Sequence, residues 1–179
     1  MLTDIDVLSI VGERLSAHGI DFMLTGSVAM AYYAMPRMTR DLDIVVELGL
    51  GDVEALMDAF SADFYIDEDA ARDAIASERL FNLMHLASAI KIDLIVRKSS
   101  DYRLLEFDRR RYVPFGAIHT WIVSREDLIL SKLVWAQDSG SELQRRDIRQ
   151  LLSGDFEADY LDRWAAVLGV GQLLQDLMP

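Results

Sequence analysis

The chain has 179 residues, 51% of them hydrophobic, with 18 Lys and Arg against 30 Asp and Glu, a formal net charge of −12. That length holds a sizeable core as one domain with an appendage or as two small lobes, and the acidity opposes non-specific binding to long nucleic acid, which needs Lys and Arg on phosphates. The sequence has no cysteine, which excludes disulfides, thiolate metal sites and cysteine nucleophiles, and no apolar run is long enough to span a bilayer.

From the N-terminus, Ile5, Leu8, Val11 and Leu15 at helical spacing predict an amphipathic helix over 3–18, with Gly19 as its stop. The start Met1-Leu2-Thr3-Asp4 lacks the basic residues of a secretory signal, and the cytoplasm is the expected location. The apolar run Ile20 to Leu24 predicts a buried strand, Gly26 a turn where backbone approaches a ligand, and Ser27 to Met35 the following helix. A helix start offers amides without intrahelical partners and a dipole that favours anions, so Gly26 and Ser27 are placed to hold phosphate oxygens. In the loop Pro36-Arg37-Met38-Thr39-Arg40, Arg37 and Arg40 are positioned for charge-assisted bonds to the same oxygens, or for solvent or the nearby acids. Asp41 and Asp43 alternate at the start of a strand running into Ile44, Val45 and Val46, so both project from one face. Two carboxylates about 4 Å apart repel by roughly 4 kcal/mol at the effective dielectric of a protein surface. A cation removes that cost, and magnesium, which shares carboxylates with substrate phosphates, suits the pair.

Residues 51–61 and 67–77 predict two further helices, the second with an acidic start at Asp67-Glu68-Asp69 that complements its dipole. Leu80 to Leu86 and Ala89 to Val96 predict strands joined as a hairpin by Ala87-Ser88. Asp93 falls on the face opposite Ile92 and Leu94, and an acid in so apolar a strand needs a partner or a metal, which makes it the third carboxylate. Structural alternatives are a strand start after an irregular loop for Asp41, and ion pairs of Asp43 with Arg37 or Arg40 and of Asp93 with Lys91 or a distant arginine. His18, His85 and His119 have no ligand-like spacing, which argues against zinc, and His85 reads as a core histidine. After a polar segment containing Arg109-Arg110-Arg111, Ile118 to Val123 predicts one more strand at an edge of the sheet.

Beyond this point the pattern is helical. Ser124 resembles an N-cap, and Leu128, Ile129, Leu130, Leu133, Val134 and Trp135 form a broad apolar helix. Lys132 within it needs a solvent-facing slot or an anion partner. Ser141 and Gln144 make a capping-box pattern for the next helix, where Asp147 either pairs with Lys132, Arg145 or Arg146 or contacts ligand. Past Gly154 the apolar residues suffice for two short helices, and Trp121, Trp135 and Trp164 read as core anchors. The clusters Arg109-Arg110-Arg111 and Arg145-Arg146 with Arg149 are solvated faces, or the lining of an acceptor groove or a dock for an acidic partner. The predicted organisation is an α/β core over 1–123 and a helical part over 124–179 packed on it as one compact unit.

The order Gly-Ser, helix, Thr-x-Asp-x-Asp, then Ile-Asp-Leu-Ile resembles the nucleotidyltransferase superfamily with a polymerase-beta-like core, in particular the small bacterial branch containing the AbiEii-type toxins of type IV toxin-antitoxin systems. The motifs cover 20–96, and a weaker match runs over 124–152. The resemblance implies an α/β fold with a mixed sheet flanked by helices. It further implies that Gly26 and Ser27 contact triphosphate, that Asp41, Asp43 and Asp93 bind two divalent metals, Mg2+ or Mn2+, and that Asp93 helps activate the acceptor hydroxyl. Lys132 in Ser131-Lys132-Leu133 would approach the triphosphate, and Asp147 stands in a later aspartate motif. Thr25 is a departure, since many relatives carry a second glycine there. The expected function is metal-dependent transfer of an NMP from an NTP to a hydroxyl on RNA, protein or a small molecule, with an antitoxin-like partner possible and no membrane. The alternative is a catalytically silent nucleotide-binding or partner-binding regulator of the same fold. No Walker lysine follows Gly26, and neither a dinucleotide fingerprint nor a nucleophile elbow is present.

Overall fold

The computed structural model describes residues 2–34 and 41–178, with Asp41 described by its backbone. In chain order these form helix α1 (Asp4–Ala17), strand β1 (Phe22–Leu24), helix α2 (Gly26–Tyr33), strand β2 (Asp41–Val46), helix α3 (Val53–Phe60), strand β3 (Phe64–Tyr65) and helix α4 (Glu68–Ala76). Strands β4 (Leu80–His85) and β5 (Lys91–Val96), helix α5 (Asp101–Asp108), and strands β6 (Arg111–Phe115) and β7 (Ile118–Ile122) follow. The chain ends in helices α6 (Arg125–Ser139), α7 (Glu142–Leu152), α8 (Ala158–Val167) and α9 (Gly171–Leu177). Among the described residues no helix is long and apolar enough to cross a membrane.

Among the described residues, one mixed sheet of seven strands, in the order β3-β4-β5-β2-β1-β7-β6, organises the fold. β2 pairs with β5 and β1 with β7 in parallel, while the remaining neighbours are antiparallel. Strand alternation sorts the residues into two faces. Leu42, Ile44 and Val46 of β2, Ile92, Leu94 and Val96 of β5, and Phe81, Leu83 and His85 of β4 are buried. The opposite face carries Asp43, Val45, Lys91, Asp93, Ile95, Leu80, Asn82 and Met84, none of them fully buried. Slipping β2 by one residue would expose three aliphatic side chains at about 1.5–3 kcal/mol each. That exceeds the few kcal/mol of repulsion between neighbouring carboxylates, so the apolar face fixes the register and the acids accept it.

Helix α1 inserts Val7, Leu8, Val11 and Leu15 into the core. Its Arg14 donates to both carboxylate oxygens of Asp63, at 2.6 and 2.9 Å, and to the Ala59 carbonyl, tying α1 to the end of α3. The hydrogen bonds from Arg14 hold the Asp63 carboxyl below its usual pKa. A depressed carboxylate contributes stability that is present above the ordinary carboxylate range and lost as pH falls through the depressed value. Asp63→Asn is therefore expected to lower the thermal midpoint at pH 7 on the order of 1–3 °C, since the pair is half-exposed. As pH falls below the ordinary carboxylate range, the difference in melting between variant and parent should shrink.

Two elements differ from the sequence-based expectation. The polar segment after Val96 forms α5 and β6, so β7 is the inner strand of a hairpin and β6 the edge. Arg109 and Arg110 do not make an open cationic face. Arg109 bonds Asp127 at 3.3 Å and Glu157 at 3.2 Å and lies over the Tyr160 ring, while Arg110 pairs with Asp21 at 3.2 Å. His85 is a core histidine as expected, its Nδ1 2.8 Å from the Ser88 hydroxyl and its ring against Phe64.

Candidate active site

The turn between β1 and α2 is built around Gly26. Its φ is +60°, the left-handed region that disfavours any residue with a Cβ. A Cβ there would also fall on the carboxylate of Asp43, which occupies that space. Thr25 donates its amide to the Asp43 carbonyl at 3.0 Å and accepts from the Ala29 amide at 3.1 Å, so the turn is fastened to β2 on one side and to α2 on the other. Ser27, buried in the first turn of α2, follows directly. Gly26→Ala should lower stability by about 1–3 kcal/mol and, by displacing Asp43, reduce any activity of this site roughly a hundredfold. Gly19 has a φ of +70° with nothing near its Cβ position. Gly19→Ala is thus the control, expected to lose comparable stability in urea titrations and to leave the site unaffected.

The sheet register lines up the acids. Asp43 of β2 is the direct partner of Asp93 on β5, and Asp93 is in turn the partner of Asn82 on β4. One row along, Asp41 stands beside Lys91, and Lys91 beside Met84. Asp93 accepts from the Asn82 amide at 2.5 Å and pairs with the Lys91 ammonium at 2.8 Å. The expected structural partner of Asp93 is therefore present, on the same face as Asp43. Among the described residues no three His, Asp or Glu side chains gather into a metal-sized cluster. The triad would need the side chain of Asp41, which lies outside that description, as do Arg37 and Arg40. The donor set is nonetheless of the right chemistry. Carboxylates on adjacent strands, beside a turn that offers backbone amides, suit a hard divalent cation shared with phosphate oxygens.

A pocket of about 260 Å³ opens between this sheet face and helices α5 and α6. Thr25, Gly26 and Asp43 line it with Val45, Ile95 and Val96 of the sheet, Arg97 and Lys98 beyond β5, Arg103 and Glu106 of α5, and Leu128, Ser131, Lys132 and Trp135 of α6. Lys132 and Trp135 thus share a cavity with Gly26 and Asp43, whereas Ser27 and Asp93 are not part of its lining. Lys132 is buried and ion-paired, its Nζ 2.8 Å from Asp147 and 3.1 Å from Gln144. Of the partners the sequence offers Asp147, the structure shows Lys132. Trp135 is no core anchor: it is 58% exposed, against the expectation, because it falls on the pocket side of α6.

Arg103, Glu106, Arg97 and Lys98 were not singled out in the sequence. Arg103 bonds both oxygens of Glu106, at 2.8 and 2.7 Å, and Ser131 at 2.7 Å, and Ser131 donates to Glu106 at 2.8 Å. Burial pushes the Glu106 carboxyl up while Arg103 and Ser131 pull it down. Ser100 as a cap, with Tyr102 and Leu105 at helical spacing, is the signal that could have found α5. The wall is braced from behind by Asp127, fully buried at the start of α6. It accepts from the Tyr160 hydroxyl at 2.7 Å, from Ser124 and from Tyr102, joining α5, α6 and α8. Burial raises both phenols above their usual range, so they remain donors to this carboxylate.

The family profile described as nucleotidyl transferase AbiEii toxin, type IV toxin-antitoxin system, matches residues 12–169. Among curated protein sequences none matches the chain. Among solved structures, the chain is similar to ANT(2")-Ia in complex with adenylyl-2"-tobramycin, at TM-score 0.64 and 10% identity over 94% of this chain and 98% of that one. It is also similar to an antigenic nucleotidyltransferase-like protein from Paracoccidioides brasiliensis, at TM-score 0.58 and 16% identity over 96% and 89% of the two chains. The lincosamide antibiotic adenylyltransferase LnuA, lincomycin-bound, matches at TM-score 0.54 and 14% identity over 85% and 98%. At such identities the likeness establishes a shared fold, that of the polymerase-beta-like nucleotidyltransferases.

Proposed function

This chain belongs to the nucleotidyl transferase AbiEii toxin family of type IV toxin-antitoxin systems, and from that premise we propose that it moves a nucleoside monophosphate from an NTP to an acceptor hydroxyl, whose oxygen bonds the α-phosphorus as the bond to the β-phosphate breaks and pyrophosphate leaves. The observation that carries the reading is the pairing of Asp43 with Asp93 across β2 and β5, beside a Gly26 whose missing Cβ leaves room for the Asp43 carboxylate. Asp41, Asp43 and Asp93 would hold magnesium or manganese, which when bound neutralises their repulsion and supplies positive charge to the reacting phosphate. The chain's own groups position the reactants. The first amides of α2, at Gly26 and Ser27, hold triphosphate oxygens, and Arg37, Arg40 and Lys132 add positive charge toward them. Asp93, steadied by Asn82, accepts the proton of the acceptor hydroxyl, and Lys91 balances the charge of the acid row. In this scheme the core over 1–123 supplies the acids and the helices over 124–179 supply Lys132, acting as one unit in the cytoplasm.

The acceptor is a hydroxyl of RNA, protein or a small molecule, and an antitoxin-like chain is the natural regulator of a protein of this family. The test is incubation with each NTP labelled at the α-phosphate, magnesium or manganese, and separate RNA, protein and small-molecule fractions of a cell extract. Label should move to one fraction and the transfer should cease when EDTA removes the metal. Transfer to none of them, with metal-dependent nucleotide binding intact, would favour the silent binding protein. No effect of metal or nucleotide on the protein would overturn the site.

A further inference from the structure

We propose that the α6 wall of the pocket receives the nucleobase, stacked on the indole of Trp135. The inference rests on the reading of the site as an NTP site and adds which part of this chain holds the base. Leu128, Ser131, Lys132 and Trp135 recur at helical spacing and line one cavity together with Gly26 and Asp43. Trp121 and Trp164 are partly buried against the rings of Tyr112 and Tyr102, at centroid distances of 5.2 Å each. Trp135 has no aromatic neighbour among the described residues and stays 58% exposed. Its large flat surface therefore faces a cavity rather than the core.

The rest of the lining suits the same ligand. Val45, Ile95 and Leu128 make an apolar slot, and Lys98 borders the same cavity together with Arg97, Arg103 and Lys132, which are ion-paired to Glu47, Glu106 and Asp147. An apolar slot with an aromatic wall and a cationic border fits a planar aromatic group carrying phosphates. Arg103 is fixed in place by Glu106 and Ser131 through Nη1. Its planar fork is thereby presented in a set orientation to polar atoms on the edge of a base.

The experiment compares binding of each NTP with binding of inorganic tripolyphosphate, a probe without a base, to the full chain in magnesium. Isothermal titration and tryptophan fluorescence are read for the parent, Trp135→Ala and Trp135→Phe. At least one NTP should bind more tightly than tripolyphosphate and quench fluorescence. Trp135→Ala should weaken that NTP roughly tenfold, as expected for loss of a stacked base, abolish the quenching, and leave tripolyphosphate affinity and the thermal midpoint unchanged. Trp135→Phe should retain most of the affinity. Equal binding of NTP and tripolyphosphate, undiminished NTP affinity in Trp135→Ala, or an equal loss of both probes would overturn the stack while leaving the phosphate site standing. Failure of every NTP and of tripolyphosphate to bind the parent would overturn both readings.

Discussion

Asp43→Asn is expected to reduce label transfer from an α-labelled NTP by at least about a thousandfold, equivalent to roughly 4 kcal/mol of barrier. The same variant should melt within about 3 °C of the parent. Asp43 and Asp93 are direct partners in a parallel pair, so the folded protein holds two carboxylates side by side, and removing one charge relieves that repulsion, which offsets what the Asp43 side chain loses in its other interactions. Asparagine preserves the shape that fills the space beside Gly26, and the bond from the Thr25 amide goes to the backbone carbonyl of residue 43, so the turn has no reason to move. Calorimetry on the purified variant, beside the transfer assay, reads both quantities. A melting point several degrees below the parent would mean that Asp43 is a structural anchor, and the proposed role would fall.

The second large effect is in stability. Asp147→Ala should destabilise the protein by about 3–5 kcal/mol, because it removes the carboxylate 2.8 Å from the buried Lys132 ammonium. Both side chains are almost fully enclosed, at 4% and 3% exposure. Lys132→Met combined with Asp147→Ala should recover most of that loss, since replacing both members of a buried pair removes the buried charge together with its partner. Urea denaturation gives the energies, and nucleotide binding separates the roles of the lysine. If Lys132 also serves the triphosphate, the double variant regains stability but not affinity. If α6–α7 pairing is its whole task, both return together.

The sequence made the acids legible because strand alternation is local: Asp41-x-Asp43 and Ile92-Asp93-Leu94 declare their faces without reference to anything distant. It did not reveal that β5 lies directly beside β2, because a hairpin signal at Ala87-Ser88 fixes only the neighbour of β4. Helix α5 escaped because two of its inward residues, Arg103 and Glu106, satisfy each other, and a buried ion pair looks in sequence like solvent-facing polarity. Strand β6 was hidden by Arg111 and Pro114, both tolerated there because it is an edge. Trp135 was misread because an apolar helix suggests a core on every side. The face it shares with Ser131 and Lys132 was the cue to something else.

The pairing of Asp43 with Asp93 also sets when the site comes into existence. The two residues lie about 50 positions apart, and a parallel pair cannot be closed by a tight turn, so β5 reaches β2 only after α3, β3, α4 and β4 have been made. Contacts of such long sequence separation form slowly compared with a local helix pair such as α6 and α7. A chain still emerging from the ribosome and short of Lys91 carries Asp43 without the carboxylate of Asp93 beside it. The charged row is completed only as β5 docks, which delays any chemistry of this site until most of the sheet is in place.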